Sequence, residues 1–293
     1  MIDQNPRRGI LMMIAVTMIF AAQDGLSRHL AEATNVLMVV TIRFWFFAAF
    51  VMVVAGRRAG GLRRAAASAL LPLQILRGVL LASQICVMVL AFTRLGLIDT
   101  QAVYICYPLI VAALSVPILG EKVGPARWIA IAIGFVGVLV IIRPGMAVFS
   151  PVALIPLVAG TMFALYSLLT RYVGRVDRAE TSFFWTGVAG AVVLTPVGIL
   201  WWEPMGGADW LLMLCLCISG ATGHWLLIRA YEIAEAGTLQ PFAYLQFPFA
   251  SLIGLFVFGD ELTLPVAVGA GIVVCSGLFT IYRTRLRERR AGG

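Results

Sequence analysis

The strongest constraint in this sequence is the length of its apolar runs. Stretches such as 36–55 and 98–119 each contain a single charged residue. About 20 apolar residues is what an α-helix needs to cross the hydrocarbon core of a bilayer. Over the whole chain 61% of residues are hydrophobic and 12% are charged, about half the charge that soluble domains carry on a water-facing surface. Lipid is therefore the solvent for most of the chain, and in lipid only helices and closed barrels satisfy the backbone. The runs are continuous and longer than the roughly ten alternating residues of a barrel strand. They are helices.

Reading the chain for such runs between glycine, proline and charge gives ten segments, at 10–30, 36–55, 74–95, 98–119, 126–142, 151–172, 181–200, 210–233, 237–258 and 265–282. The connections are short, and Gly96 to Ile98 leaves room only for a tight turn. With the N-terminus in the cytoplasm, that side carries Arg7, Arg8, Arg57, Arg58, Arg63, Arg64, Lys122, Arg127, Arg171, Arg175, Arg178 and the arginines from Arg283 onward. The other side holds Arg28, Arg94 and Arg143, with Glu203, Asp209, Asp260 and Glu261. This asymmetry predicts a multi-pass protein of a bacterial-type inner membrane with both termini cytoplasmic. The net charge of +8 is spread between apolar runs, as topology and anionic headgroups require, and predicts no nucleic-acid partner. The five cysteines, Cys86, Cys106, Cys215, Cys217 and Cys275, lie in apolar segments and read as small buried hydrophobes, with no disulfide or metal framework.

The chain also repeats itself. Phe20-Ala21 through Arg28-His29 matches Phe163-Ala164 through Arg171-Tyr172 at an offset of 143, with Ser27 opposite Thr170. Tyr104, Pro108, Glu121, Pro125, Gly137 and Arg143 match Tyr244, Pro248, Glu261, Pro265, Gly277 and Arg283 at an offset of 140. The expected organisation is two halves, 1–147 and 148–293, in one membrane unit. Five helices is an odd number, so the second half enters the membrane inverted. Arg7 and Arg8 before an apolar run resemble a signal peptide, but a first helix with a counterpart deep in the chain belongs to the fold. Inverted repeats are typical of secondary transporters, with the substrate site between the halves near the midplane.

The duplicated order of short motifs resembles the drug/metabolite transporter superfamily in its ten-helix EamA-type branch. In the first half these are Ala91-Phe92, Tyr104-x-x-x-Pro108, Leu119-Gly120-Glu121 and Gly134-x-x-Gly137. In the second they are Ala230-Tyr231, Tyr244-x-x-x-Pro248, Gly259-Asp260-Glu261 and Gly271 to Gly277. The resemblance covers essentially the whole chain and extends toward the branch that exports aromatic amino acids. It implies alternating-access movement of small organic metabolites, most often amino acids and outward, with no cofactor. Proton-coupled export of other metabolites or drugs, or a channel, is the alternative. Carriers of phosphorylated substrates want several basic residues at mid-membrane depth, and this chain offers few.

Polar groups inside spans usually face the bundle interior or a wet cavity. Gln23 and Asp24 in the first span and Arg43 in the second lie at similar depth. Asp24 is then a proton or ammonium site poised by Arg43, or half of a structural ion pair with Arg43 or with Arg28 at i,i+4. Pro108 and Pro248 predict kinks in the fourth and ninth spans that free carbonyls about one turn earlier. Tyr104, Tyr107, Tyr244 and Gln246 sit beside those kinks, with Gln101 and Gln240 a turn or two away. Together they could hold a zwitterion and stack on a ring, or merely line a kinked helix. Gln84 in the third span and His224 with Trp225 in the eighth fall at equivalent places of the repeat, and Tyr166 and Ser167 in the sixth complete a ring of substrate-binding candidates. A lone histidine also serves as a packing residue. Arg77 is expected to snorkel to headgroups, and Glu121 and Glu261 to cap or tether loops. Gly134, Gly137, Gly269, Gly271, Ser276 and Gly277 are expected to pack helices closely, within one chain or across a weak dimer.

No metal-binding histidine pair, Gly-x-Ser-x-Gly elbow or phosphate loop is present, which argues against an enzyme. The expected partners are a small-molecule substrate and the bilayer.

Overall fold

The structure, a computed structural model, describes residues 5–57, 61–120, 124–143, 151–234 and 236–291. Glu121 and the junction between the expected halves lie outside the described residues. Among the described residues twelve α-helices follow one another: α1 (Pro6–Ala33), α2 (Val36–Gly56), α3 (Gly61–Ala66), α4 (Leu71–Tyr104), α5 (Tyr107–Leu119), α6 (Pro125–Ile142), α7 (Ile155–Val173), α8 (Ala179–Leu200), α9 (Gly207–Ile233), α10 (Ala236–Ala243), α11 (Gln246–Ile253) and α12 (Leu264–Ala291). A π turn, Gly254–Phe258, continues α11. Among the described residues seven segments are long and apolar enough to cross a bilayer, and three shorter apolar helices stand beside them.

These pieces make ten spans. The long α4 is two helices joined at Gly96, whose φ of 80° and ψ of 176° are open to glycine and strained for any side chain. The part before Gly96 is the third span, and the part after it joins α5 as the fourth. Helices α10 and α11 with the π turn form the ninth. The first two spans start on asparagine caps: Asn5 Oδ1 accepts the Arg8 N–H at 3.1 Å, and Asn35 Oδ1 accepts the Met38 N–H at 2.8 Å.

The packing follows the repeat. The helix pairs in closest contact are α6 with α12, α1 with α9, α4 with α7, and α2 with α8. Each joins one half to the other. In repeat terms α1 on α9 pairs the first span with the eighth, and α4 on α7 pairs the third with the sixth; the inverted symmetry exchanges these two pairs. Large apolar side chains point out of the bundle, with Phe256 83% and Leu200 81% exposed. Such a surface is stable only against lipid, so the chain is a multi-pass membrane protein. Cys215 and Cys275 are on this outward surface, contrary to their expected burial, while Cys106 and Cys217 are inside.

The α6–α12 seam is set by small residues. A Cβ on Gly137 would fall 2.7 Å from the Gly269 carbonyl oxygen, and one on Gly277 would overlap the Tyr244 hydroxyl. Gly271 faces open space and is not part of this contact. Gly137→Ala is expected to force the backbones apart at about 1–3 kcal/mol. Melting of the detergent-purified protein should drop by several degrees, whereas Gly271→Ala should melt like the parent.

On the face that carries the N-terminus, Asp177 between α7 and α8 accepts hydrogen bonds from Ser68 Oγ, the Ala69 N–H at 3.0 Å and Gln74 Nε2 at 2.9 Å. Partial burial pushes its carboxyl up, but these bonds and the Arg77 charge outweigh it and hold the group below its ordinary range. The clasp is complete above the pH where an unfolded carboxyl titrates, about 3.9, and is lost as pH falls through the lower folded value. Melting at pH 3 should therefore lie below melting at pH 7, and Asp177→Asn should shrink that difference.

Arg77 does not snorkel. It is fully buried, donating to Gln74 Oε1 at 3.0 Å, Thr170 Oγ1 at 3.2 Å, the Tyr166 hydroxyl at 3.3 Å and the Ser182 carbonyl. The third span runs between α7 and α8, so the guanidinium finds acceptors inside the bundle before it can reach the headgroups.

Candidate functional site

The fourth and ninth spans are broken at equivalent positions. Helix α4 ends at Tyr104 and α5 begins at Tyr107; α10 ends at Ala243 and α11 begins at Gln246. At the breaks the chain tightens to i→i−3 bonds, with the Cys106 N–H on the Val103 carbonyl at 3.3 Å and the Leu245 N–H on the Phe242 carbonyl at 3.2 Å. The expected kinks at Pro108 and Pro248 are thus interruptions. Each proline stands in the first turn of a new helix, where its missing N–H would have had no partner anyway.

Both interruptions flank a small cavity of about 50 Å³ at the centre of the bundle. Gln23, Asp24 and Ser27 from α1, Arg43 from α2, Gln84 and Tyr104 from α4, His224 from α9 and Gln246 from α11 line it. Asp24 is its focus. Oδ2 accepts hydrogen bonds from Gln101 Nε2 at 2.6 Å and Gln246 Nε2 at 2.9 Å. Gln101 lies on the last turns before the break in the first half, and Gln246 on the first residue after the break in the second. One carboxylate oxygen therefore ties the two interrupted helices together.

Arg43 shares this cavity without pairing to Asp24. Its Nη2 donates to Gln23 Oε1, and Gln23 Nε2 donates to the Ser219 carbonyl at 3.2 Å. Gly220 leaves room for the guanidinium, since a Cβ there would fall 2.9 Å from Arg43 Nε. Among the described residues no ion pair joins Asp24 to Arg43 or to Arg28. The amides intervene at the first, and at the second Arg28 turns to Asp260 and Glu32. The hydrogen bonds of Asp24 thus go to amides, while the opposite charges of Asp24 and Arg43 face one space.

The sequence candidates divide accordingly. Gln84 and His224, equivalent in the repeat, both reach the cavity. The His224 ring packs on Phe20 at 5.2 Å, and among the described residues its buried Nδ1 has no hydrogen-bond partner, like the buried Ser167 hydroxyl. Tyr107 and Tyr166 stand behind the wall: Tyr107 meets Tyr104 at 5.1 Å and Phe163 at 5.0 Å, while Tyr166 sets its edge to His224 at 6.4 Å and bonds Arg77. Tyr244 is turned away onto Gly277 of α12. Trp225 lines a different, larger cavity of about 410 Å³ between α2, α3, α8 and α9. Gln240 is outside the residues whose side chains are described. Phe20 and Phe163 line the centre without having been singled out as site residues. The repeat had already matched them to each other, and that symmetry is the signal that could have found them.

The face opposite the N-terminus is clasped. Arg28 Nη1 donates to Asp260 Oδ1 at 2.7 Å and Oδ2 at 2.9 Å, and lies 4.3 Å from the Phe258 ring centre. Asp260 Oδ2 also accepts the Leu97 N–H at 2.7 Å, capping the helix that restarts after Gly96. Tethering, expected of Glu261, falls to its neighbour Asp260.

Ten spans in two inverted halves, with paired interrupted helices around a polar mid-membrane cavity, define the architecture of a secondary transporter. The chain belongs to the EamA-like transporter family, which it matches twice, over residues 7–143 and 150–282. Among its relatives is a riboflavin transporter of Vibrio cholerae, 32% identical over 177 residues that cover 59% of this chain and 58% of that protein. A riboflavin transporter of Brucella anthropi is 26% identical over 290 residues, covering 95% of this chain and 100% of that protein. An S-adenosylmethionine uptake transporter of Rickettsia prowazekii is 26% identical over 208 residues, or 71% of each chain. The match to the Vibrio cholerae protein thus spans less than two thirds of its length. A crystal structure with 18% identity superposes with a TM-score of 0.65 over 93% of this chain and 96% of its own, showing the same fold. Family and relatives are named as transporters, not enzymes.

Proposed function

We propose that this protein is an inner-membrane carrier that moves a small, ring-bearing metabolite by alternating access through the central cavity. The observation that carries the reading is Asp24, whose carboxylate holds the interrupted helices of both halves at once. A solute group that donates hydrogen bonds to Asp24 replaces the glutamine donors and frees the halves, 1–147 and 148–293, to rock against each other. Aromatic neighbours, with Tyr104, Phe163 and His224 in the wall, suit a planar ring. The names of the relatives support the same chemistry, because riboflavin and S-adenosylmethionine each join a flat heterocycle to several polar groups. The positive-inside asymmetry supports a cytoplasmic position for the N-terminal face.

A second reading, an aromatic amino acid, is favoured by Asp24 and Arg43 facing one cavity as partners for ammonium and carboxylate. The relatives' names give it no support. Counterflow in proteoliposomes separates the readings. Vesicles preloaded with riboflavin, S-adenosylmethionine, tryptophan or leucine are tested for accelerated entry of the same labelled compound. Trans-stimulation by riboflavin or S-adenosylmethionine but not leucine is expected. Stimulation by tryptophan alone would favour the second reading, and uptake without trans-stimulation would mean a channel.

A further inference from the structure

We propose that the 410 Å³ cavity between α2, α3, α8 and α9 is a waiting site in which a flat, ring-bearing solute is selected before it enters the centre. The inference rests on the carrier reading above and adds a second binding site to it.

Volume decides where a solute can rest in this state. The central cavity of about 50 Å³ has room for roughly a few water molecules. The larger one, about 410 Å³, falls within the usual range of small-molecule sites. It lies toward the face that carries the N-terminus, between the end of α2, the short α3 and the start of α8. The opposite face is the one held shut by Arg28 and Asp260.

Chemistry decides what rests there. Phe50, Phe183, Phe184 and Trp225 supply rings to the wall, and Thr181 and Thr222 supply hydroxyls. Phe183 and Trp225 meet edge to face at 5.1 Å, forming a corner into which another ring can stack. Arg64, Arg178 and Glu180 bring both signs of charge to the wall, two cations against one anion, while the rings set the flat shape a solute must fit.

A pair of packed rings separates the two cavities. Phe183 packs on Phe47 at 4.7 Å, and Phe47 lies 6.1 Å from His224, which lines the centre. Phe47 and Phe183 are both buried. These two phenylalanines are the partition between the waiting site and the centre. Beyond them the buried His224 Nδ1, without a hydrogen-bond partner among the described residues, is a polar group that an arriving solute can engage.

The test uses the full chain in nanodiscs and proteoliposomes of phosphatidylethanolamine and phosphatidylglycerol, with riboflavin, S-adenosylmethionine and tryptophan as probes. For the probe that is carried, Trp225→Leu and Phe183→Leu are expected to raise half-saturation about tenfold, with the maximal rate changed less than about twofold. Asp24→Asn should slow transport about 100-fold yet keep binding at the waiting site. If riboflavin is carried, it should quench tryptophan emission, and Trp225→Phe, which keeps a ring, should lose part of that quenching. Transport with unchanged half-saturation in both leucine variants overturns the waiting site and leaves the carrier reading standing. Native mass spectrometry showing a lipid that no probe displaces from wild type, but that Trp225→Leu releases, overturns it too. If no ring-bearing probe is bound or carried, both readings fall together.

Discussion

Asp24→Asn is expected to slow transport about 100-fold without unfolding the protein. The substitution keeps shape and removes charge. In the parent, Asp24 Oδ2 accepts two amide N–H bonds, from Gln101 and from Gln246. Hydrogen bonds to a charged acceptor contribute about 1.5–3 kcal/mol each, against about 0.5–1.5 for neutral pairs. Weakening two of them, and equally any bond to a solute donor, amounts to roughly 2–3 kcal/mol, or about 30- to 150-fold. The loss appears in the rate because the solute must compete for the carboxylate before the halves can separate. Gln101→Leu and Gln246→Leu each free half of that oxygen. Their effects on transport should combine non-additively with Asp24→Asn, since the three groups act as one unit. Counterflow rates in proteoliposomes measure all of this. An Asp24→Asn rate above about one third of wild type would remove Asp24 from the mechanism.

How far the sequence reached differs between fold and site. Apolar run length and the 143- and 140-residue offsets were enough for ten spans and inversion, because membrane helices obey a simple length rule and repeats keep their register. The same offsets placed the breaks near Pro108 and Pro248, though a proline pattern cannot distinguish a kink from a stop and restart. Depth along a span was legible too, so Asp24, Arg43, Gln84 and His224 all reached the cavity. Azimuth was not. Tyr244 and Gln246 are two residues apart, and the turn between α10 and α11 sends one to α12 and the other to Asp24. Partner choice was equally hidden. Charge pairing suggested Asp24 with Arg43, whereas amides from distant spans took Asp24, Gln23 beside it took Arg43, and Arg77 found its acceptors on helices roughly 90–105 residues away.

Asp260→Ala is expected to open the face opposite the N-terminus. Three elements meet at this carboxylate: Arg28 on α1, the Leu97 N–H just past the Gly96 break, and the chain between the ninth and tenth spans. Arg28 and Asp260 side chains are 14% and 13% exposed, so their attraction is only partly screened by water. Losing the carboxylate strips the Leu97 N–H of its cap and leaves Arg28 with Glu32 and the Phe258 ring. A cost of about 2 kcal/mol to the closed arrangement shifts a two-state equilibrium roughly 30-fold toward the open one. A cysteine in place of Ser27, in a background lacking the five native cysteines, reports the change because that position lines the central cavity. Labelling by a membrane-impermeant maleimide from that face should accelerate at least about tenfold in Asp260→Ala. Asp260→Asn keeps an oxygen for the Leu97 cap but loses the charge, so it should fall between parent and alanine. Arg28→Ala spares the cap altogether and should shift less than Asp260→Ala. Equal labelling rates in all four proteins would reduce the clasp to a loop tether. The graded order would instead show that the cap on the interrupted fourth span, as well as the ion pair, keeps this face shut while the wider cavity faces the other side.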